Sequence, residues 1–232
     1  MKQTARLLIP LLLLCATALP AATIAEKTAG MQRFDGFLPL YWDEAAGTLY
    51  MEISRFGEEI LYVSSLAAGL GSNDIGLDRG QLGESAIVEF RRIGPKVLMV
   101  QPNYSYRAVS ENPEERLAVE EAFAVSTLWG FTAAAESDGR VLVDVTDFLL
   151  RDTHGVARSL EPGTYRVEKS RSAVYMPRSR AFPRNTELEA LITFVTDNAQ
   201  RSPGQYPGRI GDVAPTAEAV TLRLHHSFVQ AP

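Results

Sequence analysis

The sequence contains little cysteine and little histidine, and this limits the chemistry available to the chain. Among 232 residues there are one cysteine, Cys15, and three histidines. Cys15 lies in an N-terminal segment that we expect to be removed, so the mature chain would have no disulfide and no cysteine-ligated metal. The motifs H-E-x-x-H, S-x-x-K and G-x-S-x-G are also absent. Their absence argues against a self-sufficient zincin, a penicillin-binding-type serine enzyme and an α/β-hydrolase.

The N-terminus has the pattern of a Sec signal peptide. Lys2 and Arg6 precede the apolar run 7–14, and the small residues "CATALPAA" follow. This order of a basic, an apolar and a small-residue region predicts a signal peptide over 1–22, cleaved between Ala18 and Ala22. The apolar run is shorter than the roughly 20 residues that a helix needs to cross a bilayer. We therefore expect a protein exported to the periplasm or secreted, with no membrane span after signal cleavage.

The charge balance is acidic. The chain has 23 Lys and Arg residues against 28 Asp and Glu residues, a formal net charge of −5. Loss of Lys2 and Arg6 with the signal peptide would make the net charge about −7. A negative chain repels phosphate backbones, so we expect no nucleic acid as a partner.

Hydrophobic residues recur mainly with a period of two, which is typical of half-buried strands. In "GTLYMEIS", for example, Leu49, Met51 and Ile53 share one face. Turn signals every 8 to 12 residues favour a mainly β fold with sandwich-like antiparallel sheets and one or two helices. The clearest helix signal is Asn112 as a cap, followed by Pro113 and two glutamates. We predict one β-rich domain over 34–232, preceded by a flexible segment over 23–33.

The three histidines do not form an evident metal site. His225 and His226 are adjacent on a predicted strand, so their side chains should point to opposite faces, one into the core and one to the surface. His154 follows Asp147 and Asp152 closely, which is compatible with a carboxylate–imidazole cluster and hence with an independent metal-dependent hydrolase. Helix-end capping explains the same residues more simply. We therefore predict no metal-binding residue in this chain.

A glycine-rich loop, "GLGSNDIGLDRGQLG" at 69–83, separates two predicted strands. It lacks the lysine of a P-loop and the third glycine of a dinucleotide-binding turn, and it does not follow the EF-hand pattern. The loop is thus either a structural turn whose polar groups cap its own backbone, or a loop that carries polar side chains toward a ligand.

A basic segment follows later in the chain, with Glu168 as its one acidic residue and Tyr165 and Tyr175 interleaved. Such a segment suits an acidic partner, although alternating charges on strands also form ordinary solvated faces. Its cations are Arg166, Lys169, Arg171, Arg178, Arg180 and Arg184.

Several stretches together resemble a known family. They are "LYVSSLAAGLGSNDIGLDRGQLG", "IGPKVLMVQPNYSYRA", "VDVTDFLLRDTHGVA", "KSRSAVYMPRSRAFPRNTELEALITF" and "LRLHHSFVQ". In this order they are similar to the N-terminal domain of unknown function of secreted bacterial zinc-dependent metallopeptidases of the gluzincin-like kind. The resemblance covers about 35–230.

The resemblance implies a supporting role. In such proteins the zinc site, with its H-E-x-x-H helix, lies in a catalytic domain downstream, so no ligand can be assigned to this chain. We expect a non-catalytic accessory domain that packs on, and shapes the substrate cleft of, a catalytic domain absent from this chain. Its partners would be that catalytic domain in cis and a peptide substrate. Zinc is expected only in the catalytic domain, and without a metal to activate water we do not expect this chain alone to hydrolyse peptides.

The same resemblance assigns a role to the glycine-rich loop. Its polar side chains would project into the cleft, where Asp74 or Asp78 would hold a peptide amine and Arg79 a carboxylate. The alternative function is a stand-alone exported binding or scaffold module that uses the basic segment. The substrate-cleft candidates are Asn73, Asp74, Asp78, Arg79 and Gln81.

Overall fold

The computed structural model describes residues 22–72, 74–160, 164–198 and 210–231. The predicted signal peptide lies outside these ranges apart from Ala22, and Asn73 of the glycine-rich loop also lies outside them. Among the described residues, no helix has the length and apolar character needed to cross a membrane.

The described residues form thirteen strands, five α-helices and two 3₁₀-helices, the latter at Lys169–Arg171 and Met176–Arg178. The strands are β1 Gln32–Phe34, β2 Leu40–Asp43, β3 Thr48–Ile53, β4 Ile60–Ala68, β5 Leu82–Ile93, β6 Lys96–Gln101, β7 Ser126–Ser137, β8 Arg140–Asp144, β9 Arg166–Val167, β10 Ala173–Val174, β11 Arg180–Phe182, β12 Asn185–Val195 and β13 Ala219–Gln230. The helices are α1 Ile24–Lys27, α2 Pro113–Ala122, α3 Thr146–Leu149, α4 Val156–Ser159 and α5 Ile210–Val213.

All strand pairs between these elements are antiparallel, and the order along the sheet is β1-β2-β3-β8-β7-β6-β5-β4-β13-β12-β10. The short strands β9 and β11 also pair with β12. The predicted mainly β, sandwich-like fold is therefore confirmed.

Two long strands bend the sheet because each passes from one part of it to the next. In β5, residues 82–88 pair with β4, whereas residues 89–93 pair with β6. In β7, residues 126–132 pair with β6, whereas residues 133–137 pair with β8, with a register shift between Ala133 and Ala135. Strands that change partners in this way form the corners at which one sheet layer folds over another.

The two ends of the sheet meet at Leu38 and Thr186. The Thr186 hydroxyl accepts a hydrogen bond from the Leu38 amide and donates one to the Leu38 carbonyl, both at 3.0 Å. Beside it, the Phe37 amide donates to the Phe182 carbonyl at 2.7 Å. The chains approach so closely that a Cβ on Gly36 would lie 2.6 Å from the Phe182 nitrogen. The sheet therefore encloses one main core.

That core is rich in aromatic side chains contributed by distant parts of the chain. Its largest fully buried members are Phe90, Phe131, Phe148, Phe194 and Phe228. Phe148 comes from α3, and its ring contacts the rings of Phe131 and Phe228 at centroid distances of 5.6 and 6.1 Å. This packing holds α3, and the turn that follows it, against the inner face of the sheet.

The predicted helix after Asn112 is present as α2. The Asn112 side chain accepts a hydrogen bond from the Glu114 amide at 3.0 Å, as an N-cap does. None of the α2 residues is buried, so this helix lies away from the core in the long connection between β6 and β7. The other four α-helices have four residues each. The described residues therefore contain more helices than the one or two predicted.

The segment 23–33, predicted to be flexible, contains α1 and the first residues of β1. Thr23 and Glu26 form a capping box that closes the first turn of α1. The Ile24 amide also donates to the Ser137 hydroxyl at 3.0 Å, and the Ile24 side chain is buried. These contacts dock the segment on the end of β7.

Candidate functional site

The glycine-rich loop folds back on the end of β4. Leu77 is buried in the core, and the Leu77 carbonyl accepts a hydrogen bond from the Leu70 amide at 3.1 Å. The Gly80 amide donates to the Leu66 carbonyl at 2.7 Å. A Cβ on Gly69 would lie 2.0 Å from the Leu77 carbonyl oxygen, so a side chain there is incompatible with this turn. Glycine and one apolar anchor thus shape the loop.

The polar side chains of the loop point outward. Asp74, Asp78, Arg79 and Gln81 are exposed, and none of them makes a side-chain hydrogen bond or salt bridge to another described residue. Asn73 lies outside the described residues. Of the four described candidates, Gln81 lines the groove described next and the other three do not, so the structure does not gather all the predicted cleft residues at this site.

That groove, here called the loop groove, lies between the start of β5 and the turn that joins α3 to α4. Its volume is about 510 Å³. Tertiary folding brings these two segments together although some 70 residues separate them in the chain. The loop groove is lined by Gln81, Leu82, Gly83, Glu84, Asp152, Thr153, His154, Gly155 and Arg158.

Two polar atoms at the loop groove are buried and have no hydrogen-bond partner among the described residues. They are the Thr153 hydroxyl and His154 Nδ1. The His154 ring approaches Gly83 so closely that a Cβ there would lie 2.9 Å from Nδ1. Burial lowers the pKa of His154, and the nearby Asp152 carboxylate only partly opposes this shift. The imidazole is therefore neutral at neutral pH, and it can donate or accept a hydrogen bond.

Asp152 is engaged in capping. Its two carboxylate oxygens accept hydrogen bonds from the Val156 amide at 2.8 Å and the Ala157 amide at 2.9 Å, at the start of α4. Asp147 instead forms a salt bridge with Lys169 at 2.7 Å. Helix-end capping, the simpler of the two explanations given for this stretch, therefore applies to Asp152. In the described ranges, no three potential metal-ligating side chains lie close enough to hold a metal ion.

A second groove, here called the aromatic groove, lies on the outer face of β5 beneath the connection that contains α2. Its volume is about 850 Å³. The rings of Tyr106 and Phe123 stack across it at 3.7 Å, and the Tyr104 hydroxyl donates to Glu59. Beside these rings, Val125 is 44% exposed. The aromatic groove therefore presents apolar surface to solvent.

The two adjacent histidines of β13 point to opposite faces, as predicted. His226 is fully buried, and its Nδ1 lies 2.8 Å from the Tyr62 hydroxyl. His225 lies on the outer face between two carboxylates of β12, with Nε2 2.6 Å from Glu187 and Nδ1 3.1 Å from Glu189. His225 is only partly exposed, so it is less accessible than a surface histidine.

The sequence alone does not show that these glutamates are partners of His225. Their period-two spacing in "TELEALITFVT" signals one strand face, but the pairing of β12 with β13 sets which side chains they meet. The Ser227 hydroxyl also donates to Glu187 and lies 3.1 Å from His225 Nε2. Serine, histidine and carboxylate serve together in some hydrolases, but neither groove reaches these side chains.

The basic segment runs along the edge of β12 through β9, β10 and β11. All six of its predicted cations are exposed. Arg166 forms a salt bridge with Asp197 at 3.2 Å, and Lys169 forms one with Asp147. Arg180 donates to the backbone carbonyls of Met176 and Ser179. Part of the positive charge is thus neutralised locally.

The described residues thus form an antiparallel β-rich fold, and the loop groove is a polar groove that is open to solvent. A family model described as Domain of unknown function (DUF5117) matches residues 80–232, and the chain belongs to this family. The match includes Gln81, the turn at 152–158 and the basic segment, but it does not reach 69–79 of the glycine-rich loop. Comparisons with curated proteins and with solved structures found no significant match.

Proposed function

We propose that this chain is a non-catalytic accessory domain of an exported zinc metallopeptidase, and that its loop groove contacts peptide substrate at the border of the catalytic cleft. The observation that carries the proposal is the juxtaposition of Gln81, from the glycine-rich loop, with the unpartnered polar atoms of Thr153 and His154. Buried polar groups without partners favour a ligand that supplies them, because leaving them unsatisfied costs free energy.

The chemistry of the loop groove suits a peptide backbone. The Gln81 amide both donates and accepts, and the neutral His154 ring can pair with a backbone N–H or C=O. Arg158 lies at the same groove and carries a positive charge suited to a peptide carboxylate. The sequence lacks H-E-x-x-H, so in this proposal the reacting zinc and its ligands belong to the catalytic domain.

The kinetic test uses a relative whose chain continues into a segment with H-E-x-x-H. The changes Gln81→Ala and Arg158→Ala, at the corresponding positions, are expected to lower kcat/KM for peptides by about tenfold each, as loss of a hydrogen bond to a charged or polar group does. Arg184→Ala, on the exposed basic segment, is the matched control and should leave kcat/KM unchanged. Unchanged kinetics in both groove variants would refute the contact with substrate.

A second test concerns the accessory role itself. If the proposal holds, the DNA that follows the Pro232 codon continues in frame into a segment encoding H-E-x-x-H. A stop codon followed by no such segment would contradict the arrangement in cis.

The alternative proposal is a stand-alone exported binding or scaffold module that uses the basic segment. It is favoured by the exposure of all six cations, of which Arg171, Arg178, Arg180 and Arg184 form no salt bridge with a described residue. Binding to an acidic polymer such as heparin that weakens in Arg171→Ala/Arg178→Ala, and with added salt, would support it. Equal retention of the variant and the unchanged chain on heparin would count against it.

A further inference from the structure

One half of β5 has a free hydrogen-bonding edge. Residues 82–88 pair with β4 on one side, but β6 pairs only with residues 89–93 on the other side and ends at Gln101. No strand of the described ranges continues the line of β6 beside 82–88. A strand edge of this kind presents unpaired backbone N–H and C=O groups.

The register shows which residues point their backbone groups to the free side. Ile93 and Lys96 flank the two-residue turn at 94–95, and the residues that flank such a turn exchange hydrogen bonds. Because these groups alternate along a strand, the odd-numbered residues of β5 face the line of β6. Ser85 and Ile87 therefore direct their N–H and C=O groups to the free side.

An independent contact supports this assignment. The Phe90 carbonyl accepts a hydrogen bond from the Gly57 amide at 3.0 Å, on the side away from β6. The backbone N–H and C=O groups of the even-numbered residues of β5 thus face β4, from Phe90 back to the register shift in the β4–β5 pairing. The residue after β6 is Pro102, which has no N–H to offer, and neither Ser85 nor Ile87 bonds to the backbone of the connection that follows.

This edge is accessible and has a groove at each end. Glu84 and Ser85 are exposed, and Leu82 is 75% exposed. Leu82 and Glu84 line the loop groove, whereas Ile87 lines the aromatic groove. Seven extended residues span about 23 Å, so one peptide of this length can reach from one groove to the other.

We propose that an extended peptide binds this chain by adding a strand to β5 along residues 82–88. The peptide would exchange backbone hydrogen bonds with Ser85 and Ile87. The aromatic groove would take its apolar side chains, and the loop groove its polar ones. This is strand addition to a sheet edge, in which backbone bonds supply affinity and side-chain pockets supply selectivity. The assignment rests on the proposed function, since it describes how the substrate peptide is held.

A second copy of the chain is a less suitable occupant. Two β5 edges paired antiparallel around Ala86 would place Glu84 of each copy opposite Val88 of the other. Glu89 of each copy is already paired with its own Val100 on this edge, so two copies could share only residues 84–88. A separate peptide has no β6 of its own, so it can extend past Glu84 to Leu82 and reach the loop groove.

The test measures retention of a peptide digest of β-casein on the immobilised chain. The key variant is Ser85→Pro, which removes the N–H on the free edge without removing a donor from the β4 pairing. Ser85→Ala keeps that N–H and is the matched control. We expect the unchanged chain and Ser85→Ala to retain at least fivefold more peptide than Ser85→Pro. Equal retention by all three, or no retention by the unchanged chain, would overturn the proposal.

Amide hydrogen exchange keeps the proposal testable if Ser85→Pro fails to fold. In the free, unchanged chain the Ser85 and Ile87 amides should exchange at least tenfold faster than those of Ala86 and Val88, and they should slow when the digest is added. Protection of Ser85 and Ile87 in the free chain at all protein concentrations would overturn it. So would protection that grows with protein concentration, since the occupant would then be a second copy.

This experiment can fail independently of the proposed function. Peptide retention concerns the chain alone, whereas the accessory role is tested by kinetics in a relative with a catalytic domain. Retention that depends on Ser85, together with unaffected kinetics in the Gln81 and Arg158 variants, would leave strand addition standing and refute the role in the cleft.

Discussion

His225 Nε2, on β13, lies 2.6 Å from Glu187 Oε2, on the neighbouring strand β12, and both side chains lie on the outer face of the sheet. Burial would lower the pKa of His225, but hydrogen bonds and charge from Glu187 and Glu189 outweigh it and raise this pKa above its ordinary value of 6.5. Burial likewise opposes ionisation of Glu187, but hydrogen bonds from His225, Ser227 and Asn185 lower its pKa below 4.5. The geometry therefore favours the ion pair.

The first prediction concerns stability at rising pH. Because the folded pKa of His225 is raised, its contribution is complete below pH 6.5 and is lost as the pH rises through the folded pKa. His225→Gln should lower the free energy of unfolding by about 2 kcal/mol near pH 6, as loss of a charge-assisted hydrogen bond does. Urea unfolding at a series of pH values from 6 to 9 measures this. The variant should also lack the decline that the unchanged chain shows, and an equal decline in both would contradict the assignment.

The second prediction concerns His226 and acid. Burial, with a smaller effect of the Arg151 charge, lowers the pKa of His226 to about 3. Between this value and 6.5 the unfolded chain binds a proton that the folded chain does not, so stability falls as the pH decreases. The contribution of this histidine is up to about 1.4 kcal/mol per pH unit. His226→Phe should therefore flatten the dependence of the unfolding free energy on pH between 4.5 and 6.5.

Tyr62→Phe is the control for this variant. It removes the same hydroxyl–imidazole hydrogen bond, but it leaves the imidazole buried, so it should keep the acid slope of the unchanged chain. If His226→Phe and Tyr62→Phe show the same slope, His226 is not the group responsible.

The third prediction concerns the contact that joins the two ends of the sheet. Thr186→Val preserves the size of the side chain, but it leaves the Leu38 amide and carbonyl without their partner in a buried position. We expect the free energy of unfolding to fall by about 2 kcal/mol, the cost of buried unsatisfied groups. Thr132→Val, which removes an exposed hydroxyl that accepts from Lys96, should change stability by less than about 0.5 kcal/mol. Similar losses in both variants would argue against closure through Thr186.

The fourth prediction concerns the close approach at the loop groove. A Cβ on Gly83 would lie 2.7 Å from the Ser64 hydroxyl and 2.9 Å from His154 Nδ1. Gly83→Ala should therefore displace the His154 turn and lower the unfolding free energy by about 2 kcal/mol, as overpacking does. Gly130→Ala meets only a flexible Leu98 methyl at 3.4 Å and serves as the control. If Gly83→Ala has the stability of Gly130→Ala in denaturant titrations, His154 does not pack against β5 as described.

Much of the fold could be predicted from residues that are close in sequence. The alternation in "GTLYMEIS" appears as β3, with Leu49, Met51 and Ile53 buried. The turn around Asp138 and Gly139, both with positive φ, joins β7 to β8, as a short turn between two alternating segments does. These features follow from local side-chain periodicity and turn chemistry, which operate over a few residues.

The candidate site was less predictable because it depends on contacts between distant segments. Gln81 could be singled out from the loop, but its position beside Thr153 and His154 depends on how α3 packs inside the sheet. Asp74, Asp78 and Arg79 belong to the same loop, yet they point to solvent elsewhere. The spacing of residues in the sequence specifies the direction of a side chain only within one strand or one helix turn.

The amino-acid sequence by itself determined the strands, the capped helix α2 and the opposite directions of His225 and His226, since backbone sterics and the alternation of side chains act along the chain. Tertiary structure alone decided that β6 pairs with β5 only at residues 89–93, so that the edge of residues 82–88 has no partner among the described residues. It also decided that the His154 turn packs closely against Gly83. These features arise from strand register and core packing between residues far apart in the chain, which no local pattern encodes.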